Sequence, residues 1–517
     1  MRFKTFLNRK LIASVGALVI LLSPALVGRV YGQSTAPPSA ALTAKRDRLV
    51  KESDAAFEKD DFVAAEGILR KLIEIDGDNF VPYYNLCCAL CCQDRTQDAG
   101  PMLEKAIQLG FTDLQQLQTD PHLAALRRTE NYKRLVARWG EILGARIESD
   151  FDAIKKRYGA SYTYEKDEKL RLAYASAFAP SSFEQAKKEL ARLSEWWATE
   201  VAPDPPPDPP SGTGDKKGGD PPAAPWVLIV LPTRPDYAKW AIGRFGPAWE
   251  HIGGSYMHDD KSLVAQDLGA TLRHEFWHSL HWRHMDQLGQ RHPIWVMEGL
   301  CSLVEDVNAG AKGEMQPVAS WRTNMAGRLA RSGNLMPWDR LFKMNHKNFV
   351  QNRPLANYGQ ARSIFLYLSE LGKLKVWYAA LIQSFPEDPT GRKAFEVVFN
   401  KPAKQVEADF RTWLRALPEV AEDFKIGSAV FPFEVDNSTG EGVVIKSFIP
   451  KPSVGQPDTT GGLRMKDVIT SVNGQNVREM AELVRILAEY QPGAQVEVEY
   501  RRARTTGKAS ITLVPAK

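Results

Sequence analysis

Clusters of basic residues are missing from this 517-residue sequence. Its 67 lysines and arginines are scattered, and 62 acidic residues almost balance them, which leaves a formal net charge of +5 at pH 7. Proteins that bind nucleic acids concentrate positive charge on one face or in one segment. The sequence therefore argues against a dedicated nucleic-acid binder. Its 44% apolar content is ample for the buried cores of several domains.

Cysteine is also scarce, because the sequence has five and four of them lie at positions 87, 88, 91 and 92. This stretch has the pattern of a single helix, within which cysteines do not pair comfortably. A second group of cysteines that could complete a thiolate metal cluster is missing. We therefore predict that these cysteines are small buried packing residues, and not a disulfide framework or a metal site.

The N-terminus combines positive charge with an uncharged run, from Leu11 to Gly28. This pattern is typical of a secretory signal peptide, and the small residue Gly32 offers a cleavage site that predicts a signal peptide at 1–32. An uncleaved membrane anchor is the alternative, although Pro24 disfavours a long continuous span. We expect a periplasmic, secreted or N-terminally anchored protein, which touches a membrane only if the segment stays uncleaved. The basic residues before the run are Arg2, Lys4, Arg9 and Lys10.

The most informative motif is His-Glu-Phe-Trp-His at residues 274–278, in a stretch without a helix breaker. Residues four apart lie on the same face of a helix, so His274 and His278 can converge on one tetrahedral cation such as zinc. Glu275 is then placed beside the metal as a general base. The alternative is a polar helix face with two solvated histidines. It is disfavoured because seven of the nine histidines fall between positions 251 and 292.

A catalytic zinc site usually has a third protein ligand, and two residues compete for that place. His284 stands where the metzincin frame HExxHxxGxxH has its last histidine, but His281 replaces the glycine at which the chain turns. On a continuing helix, His284 would lie off the metal-facing side and too far along. Glu298 lies 20 residues beyond His278, in a second helix that Pro293 is suited to begin. We favour Glu298, since two packed helices can bring its carboxylate to both imidazoles.

With Glu298, the site resembles that of the gluzincin metallopeptidases, whose HExxH helix is followed by a helix that carries a glutamate. The Trp-x-x-Glu-Gly pattern at 295–299 is also similar to the glycyl-aminopeptidase branch. The resemblance covers residues 150–425. It implies zinc held by His274, His278 and Glu298, a water nucleophile and hydrolysis of peptide bonds.

One position departs from that family. The acid that often follows the ligand glutamate by four residues is Ser302 here. Glu305 or Asp306 is left to orient a ligand histidine through its second ring nitrogen, a contact that such sites normally need. The sequence leaves the choice between these two acids open.

Hydrolysis also needs a donor to the oxyanion that develops in the transition state. Tyr358 is our candidate, because it lies near the start of an apolar helix and resembles in spacing the tyrosine of gluzincin aminopeptidases. An ordinary buried aromatic residue is the alternative interpretation. Other candidate donors are His281, His284 and His292.

Two short strands are expected just before the motif, at 253–257 and 262–264. An edge strand here could pair with an extended substrate backbone. The Gly-x-Met-Glu-Asn-like motif with which many related aminopeptidases hold a free N-terminus is not recognisable in this region. An endopeptidase is therefore slightly favoured over an aminopeptidase.

A repeat is visible near the start of the chain, between residues 45 and 110. Ala65 and Leu69 are echoed 34 positions later by Ala99 and Leu103. That period is typical of tetratricopeptide helix pairs, which bind peptides or partner proteins in a concave face. The segment at 112–143 would cap the array, and a structural spacer is the alternative.

The last hundred residues differ in character from those before them. A strand begins at Gly442, and Asp-Val-Ile at 467–469 leads into Ser-Val-Asn-Gly at 471–474. In these features the segment strongly resembles a PDZ domain of the bacterial protease type, whose groove helix is then expected at 482–490. The closing strands are expected at 495–500 and 510–513. The usual carboxylate-binding loop is not recognisable. Residues 429–433 come nearest, but Pro432 removes a backbone donor there, which puts binding of a free C-terminus in doubt.

The sequence thus predicts a multidomain α+β protein. The expected parts are the signal peptide (1–32), α-helical TPR-like repeats (45–143), a zincin-like α+β metallopeptidase domain (146–424) with a Pro/Gly-rich linker or insertion (201–225), and a PDZ domain with a β-sandwich or barrel-like fold (425–517).

We expect an exported zinc-dependent metallopeptidase that acts on peptide or protein substrates, with the repeats and the PDZ domain as sites for protein partners. A catalytically silent scaffold that retains a peptidase-like domain is the alternative. Glu275 favours the enzyme, because a scaffold does not need an acid next to a metal ligand.

Overall fold

The computed structural model describes residues 40–203, 225–246, 253–309, 315–437, 440–448, 461–503 and 505–516. The expected signal peptide lies outside the described residues, as does most of the tract expected as a linker or insertion at 201–225. The described part is a mixed α+β structure with a β-rich region at its end. Within it, no helix combines the length and the apolar character that crossing a membrane requires.

The N-terminal region consists of consecutive helices that pack against their neighbours in the chain. Ala65 and Ala99, which are equivalent in the repeat, are both fully buried. This arrangement of helical hairpins is consistent with the expected repeat, and the tetratricopeptide assignment itself stays a prediction. The helices are α1 (Ala40–Glu58), α2 (Phe62–Ile75), α3 (Phe80–Cys91), α4 (Thr96–Gln108), α5 (Leu114–Thr119), α6 (Ala124–Arg127), α7 (Glu130–Ala137) and α8 (Trp139–Tyr158).

The cysteines of α3 are free thiols. Cys87, Cys88 and Cys91 are buried, which confirms them as packing residues. The prediction is wrong for Cys92, the C-cap residue of the helix, which is only partly buried.

A mixed five-stranded sheet, in the order β1-β2-β3-β5-β4, forms the framework of the middle region. Strands β2, β3 and β5 are parallel neighbours, and β1 and β4 are antiparallel edges. Because β2 and β3 are neighbours, the tract between them interrupts one sheet and does not separate two domains. The strands are β1 (Thr163–Asp167), β2 (Leu172–Ser176), β3 (Val227–Leu231), β4 (Gly254–Met257) and β5 (Ser262–Ala265).

Both faces of this sheet are covered, since alternate side chains of a strand point to opposite faces. Val227 and Ile229 of β3 pack with the core that includes α9 (Pro180–Trp196) and α11 (Ala270–Leu288). Their neighbours Leu228 and Val230 pack on the other face, with α8 and α10 (Arg234–Phe245). Helix α11 follows β5 directly and also contacts β4, so it lies beside an edge strand.

The rest of the middle region is largely helical, and α12 packs between α11 and α16. Gly299 permits this close approach, because a Cβ atom there would lie 2.6 Å from the ring of Phe365. The elements are α12 (Ile294–Leu303), β6 (Val307–Ala309), β7 (Met315–Pro317), α13 (Trp321–Arg331), α14 (Trp338–Leu341), α15 (His346–Gln351), α16 (Pro354–Glu370), α17 (Leu374–Ser384), α18 (Arg392–Phe399) and α19 (Ala403–Ala416).

The C-terminal region contains a sheet in the order β14-β13-β11-β10-β9, with β12 paired to β11 and a separate pair β8-β15. Strand β9 therefore lies at the edge of its sheet. The elements are β8 (Ala429–Val430), β9 (Phe433–Asn437), β10 (Val443–Phe448), β11 (Val468–Val472), β12 (Gln475–Asn476), α20 (Met480–Leu487), β13 (Gln495–Arg502), β14 (Thr505–Thr512) and β15 (Val514–Pro515).

The helix expected at 482–490 lies two to three residues earlier than predicted. It begins at Met480, because the N–H of that residue donates to Oδ1 of Asn437 over 2.6 Å and so has a partner at the helix start. Tyr490 lies outside the helix, and its hydroxyl accepts a hydrogen bond from the side-chain amide of Asn473. Asn473 and Gly474 both have positive φ, and they form the turn that joins β11 to β12.

The C-terminal region packs on the middle region through α20, whose Glu482 contacts Arg273. Glu479 is the residue just before this helix. Burial, followed by the charges of Glu482 and Asp267, raises the pKa of Glu479 from 4.5 to about 8. The folded chain therefore binds this proton more tightly than the unfolded chain, and stability decreases as pH rises from 4.5 towards 8. The other charged groups that act on Glu479 are Arg273 and Asp306.

We expect Glu479→Gln to remove this pH dependence, which reaches at most about 1.4 kcal/mol per pH unit for a single proton. Relative to the wild type, the variant should gain stability above pH 8 and gain little near pH 4.5. Urea unfolding of both proteins across this range measures the difference. Parallel stability curves would contradict the assignment.

Candidate metal centre

Helix α11 carries His274 and His278 one turn apart. No proline or glycine interrupts it, and Gly289 ends it in the left-handed conformation. The centroids of the two imidazole rings are 4.9 Å apart. Both side chains are largely buried, so the two rings line the same protected spot.

Glu298 reaches this spot from α12. Its Oε2 atom lies 3.3 Å from Nε2 of His274 and 3.6 Å from Nε2 of His278. Zinc bonds of about 2.0–2.1 Å at tetrahedral angles place ligand atoms about 3.3 Å apart. These three side chains therefore fit a zinc ion, although their role as ligands stays a prediction. Pro293 is the N-cap residue that precedes α12. It therefore does not lie in the first turn of this helix, where the sequence analysis expected it.

The electrostatics of the site favour positive charge. Burial by itself would lower the pKa of His274, but the carboxylates of Glu298 and Glu305 outweigh burial and raise that pKa to about 10. Burial by itself would raise the pKa of Glu298, but His278 and His274 hold it well below its ordinary value. The site thus holds a carboxylate that is stabilised by neighbouring positive charge.

His284 lies elsewhere. Because α11 continues to Leu288, ten residues separate His284 from His274, about 15 Å along the axis. Its Nδ1 atom is 3.0 Å from the hydroxyl of Tyr378, in a buried cluster where Nε2 of His281 lies 2.8 Å from Nδ1 of His292. The structure thus places none of these three histidines beside Glu298.

Glu305 is the acid that contacts a predicted ligand. Its Oε1 atom lies 2.9 Å from Nδ1 of His274, opposite the ring nitrogen that faces Glu298. Arg322 of α13 donates two hydrogen bonds to the carboxylate of Glu305 and holds it in place. Asp306 instead pairs with Arg362, with 3.5 Å between the charged atoms. Of the two acids that the sequence leaves open, Glu305 therefore has the geometry of an outer partner that orients an imidazole.

The side chain of Glu275 extends from α11 to the edge strand β4. Its carboxylate accepts a hydrogen bond of 2.7 Å from the backbone N–H of Tyr256. Gly254 permits this close packing, because a Cβ atom there would lie 2.7 Å from Thr271 and 2.9 Å from Glu275. Burial raises the pKa of Glu275 above its ordinary value. A half-buried carboxylate next to the two histidines and an edge strand is suited to act as a base.

Tyr358, in the first turns of α16, also reaches this site. Its ring lies 6.4 Å from that of His274, and the guanidinium of Arg322 lies 5.4 Å from the tyrosine ring centroid. Burial, then the charges of Glu298 and Glu275, raises the pKa of Tyr358. The phenol therefore stays protonated at neutral pH and can donate a hydrogen bond.

Cys301 is a further residue near the two histidines. Its Sγ atom and one ring nitrogen of each histidine all lie within 4.8 Å of one another. If Cys301 and Glu298 both bound the metal, four protein ligands would close the site, as in structural zinc centres. We prefer Glu298 as the third ligand, because its oxygen is at the separation that tetrahedral zinc requires.

We expect Cys301→Ala to leave the zinc content and zinc affinity unchanged, because Cys301 is not needed when three other ligands are present. Metal analysis of the purified variant, together with chelator competition, measures this. Loss of zinc from Cys301→Ala would indicate a closed, structural site and would contradict a catalytic one.

Sequence reasoning did not identify Arg322, Cys301 or the backbone donor of Tyr256. Arg322 follows a hairpin and belongs to no recognisable motif. The residues around it in the sequence therefore do not indicate that it contacts Glu305. Cys301 lies three residues after Glu298, on the same face of α12. That spacing is the one signal that could have identified it.

A PDZ-domain family model matches residues 432–513, which confirms the predicted C-terminal domain. Among solved structures, one that is similar is the crystal structure of an aminopeptidase N family protein from Idiomarina loihiensis. It shares 12% sequence identity and a TM-score of 0.24 over 69% of this chain and 67% of that chain. A likeness this weak carries no argument about function. No curated protein matches the sequence of this chain.

Proposed function

We propose that this chain is a zinc-dependent peptidase with a C-terminal module that binds peptides or proteins. The observation that carries the proposal is that Oε2 of Glu298 lies within 3.6 Å of Nε2 of both His274 and His278. Glu275 lies beside these three side chains and is held by an edge strand. Together these residues form a metal site that leaves a base next to it.

Zinc bound at such a site would polarise a carbonyl group and lower the pKa of water. The chain itself would move the protons. Glu275 accepts a proton from the attacking water and then delivers it to the leaving amine. Its hydrogen bond from Tyr256 fixes the carboxylate for this task. Tyr358, protonated at neutral pH, donates to the oxyanion that develops on the scissile carbonyl.

The substrate class follows from β4, which is an edge of its sheet. An extended peptide can add to such an edge through backbone hydrogen bonds, and here that peptide would pass beside Glu275. We propose internal peptide bonds as the site of cleavage, because the sequence offers no recognisable anchor for a free N-terminus.

The C-terminal domain would present its own edge strand, β9, whose last residue Asn437 accepts a hydrogen bond from the first residue of α20. Pro432 precedes β9 and has no backbone N–H to donate to a terminal carboxylate. We therefore propose capture of an extended internal segment by β9 and not of a free C-terminus. Export through the N-terminal segment, and partner binding by the TPR-like helices, are further proposals that rest on the sequence.

The test is to purify residues 33–517, measure bound metal and incubate the protein with a mixed-peptide library. One zinc per chain, with cleavage that a chelator abolishes, is the expected result. Zinc without cleavage would favour a scaffold that retains a peptidase-like domain. Absence of any bound metal after zinc is supplied would overturn the proposal.

A further inference from the structure

We propose that Glu482, in the domain that matches the PDZ family, is a positioning residue of the metal site and acts through Arg273. The inference rests on the proposed function, because it requires His274 to be a metal ligand. It also makes the C-terminal domain a structural part of the metal centre, in addition to its role as a binding module.

Arg273 immediately precedes His274 in α11 and is 1% exposed. Its guanidinium donates to two carboxylates from different parts of the chain. Nη1 lies 3.0 Å from Oε1 of Glu189 in α9, and Nη2 lies 3.2 Å from Oε1 of Glu482 in α20. A charge buried this deeply requires partners, so both acids stabilise it in place.

Glu482 is itself held firmly. Its side chain is 6% exposed, and its Oε2 atom accepts a 2.6 Å hydrogen bond from the backbone N–H of Arg478. One carboxylate thus joins the start of α20 to the helix that carries both predicted histidine ligands. This geometry differs from a solvated surface ion pair, which contributes little.

The contact continues to the metal site through Glu305. The guanidinium of Arg273 also donates to the backbone carbonyls of Val304 and Glu305. The carboxylate of Glu305 in turn faces Nδ1 of His274 over 2.9 Å. Loss of the Glu482 carboxylate would let Arg273 move, and with it the segment that orients the imidazole. Removal of a direct outer partner of a metal ligand, such as Glu305 here, typically changes metal affinity by about 10–100-fold. Glu482 acts two contacts further out, so its removal should have an effect at or below the lower end of that range.

The experiment compares Glu482→Ala, Glu482→Gln and the wild type after loading with Co²⁺, whose visible absorption reports ligand geometry. We expect Glu482→Ala to alter the spectrum and weaken Co²⁺ binding by up to about 10-fold, the lower end of what a direct outer partner contributes. Glu482→Gln should show a smaller effect, since its single amide oxygen can still accept from either Arg273 or Arg478, although not from both as the two carboxylate oxygens do. Glu489→Gln, an exposed glutamate just beyond the same helix, is the matched control and should behave as the wild type.

General loosening of the domain contact is tested with Arg478→Gln. This variant removes an interface ion pair, in which Nη2 of Arg478 lies 3.6 Å from Glu189, without removing a direct partner of Arg273. It should retain the wild-type Co²⁺ spectrum. An effect as large as that of Glu482→Ala would overturn the positioning role, as would an unchanged spectrum in Glu482→Ala. If the wild type binds no Co²⁺ or Zn²⁺, the proposed function itself fails.

Discussion

Glu275→Gln should lower turnover of a peptide substrate by about 10²–10⁴-fold, the usual contribution of a general base. The amide has the size of the carboxylate and can still accept the hydrogen bond from the N–H of Tyr256, so the site should keep its shape. An amide cannot accept the proton of the attacking water. Zinc content should therefore stay at the wild-type value while cleavage is lost.

The measurement is the rate of cleavage of a peptide found in the library experiment, together with zinc content, for both proteins. Glu195→Gln, at an exposed position of α9, is the matched control and should retain full activity. Wild-type rates in Glu275→Gln would refute Glu275 as the base. Loss of zinc in that variant would instead show that Glu275 acts on the metal site itself.

Glu298→Ala should remove the metal, with a loss of affinity greater than the 10–100-fold that an outer partner contributes. Alanine leaves two histidines, and catalytic zinc sites typically have three protein ligands. His284→Ala should retain zinc, because its imidazole contacts Tyr378 and lies far along α11 from His274. Equilibrium dialysis against zinc distinguishes the two variants.

His284 is buried, so its replacement can lower stability without any effect on the metal. Thermal unfolding of each variant, with and without zinc, separates these effects. Zinc should raise the unfolding temperature of the wild type and of His284→Ala, but not that of Glu298→Ala. The opposite pattern would move the third ligand to His284 and require a turn in the chain after His278.

The parts of the site that lie within one motif could be predicted from the sequence. His274 and His278 share a helical face by spacing alone. The approach of Glu298 was expected because it lies on the next helix, which can pack against the first. These features depend on residues that are close in sequence.

The other contacts of the site could not be predicted, because they join residues far apart in the chain. Arg273 and Glu482 are 209 positions apart, and neither belongs to a pattern that names its partner. Glu305 was one of two adjacent acids, and only tertiary packing distinguishes the one that meets His274 from the one that meets Arg362. The predicted bounds of the helix at 480–487 were two to three residues too late for the same reason. Asn437, which is distant in sequence, supplies the partner of the first N–H of the helix.

The position of α20 has a thermodynamic consequence. Glu482 of this helix contacts Arg273, and the first residue of the helix is hydrogen-bonded to Asn437 at the end of β9, the edge strand where we propose that a peptide adds. If peptide occupancy changes the affinity for metal by some factor, then metal occupancy must change the affinity for peptide by the same factor, because the two bindings share one free-energy cycle. Peptide titrations of apo and zinc-loaded protein would then yield dissociation constants whose ratio measures that coupling directly.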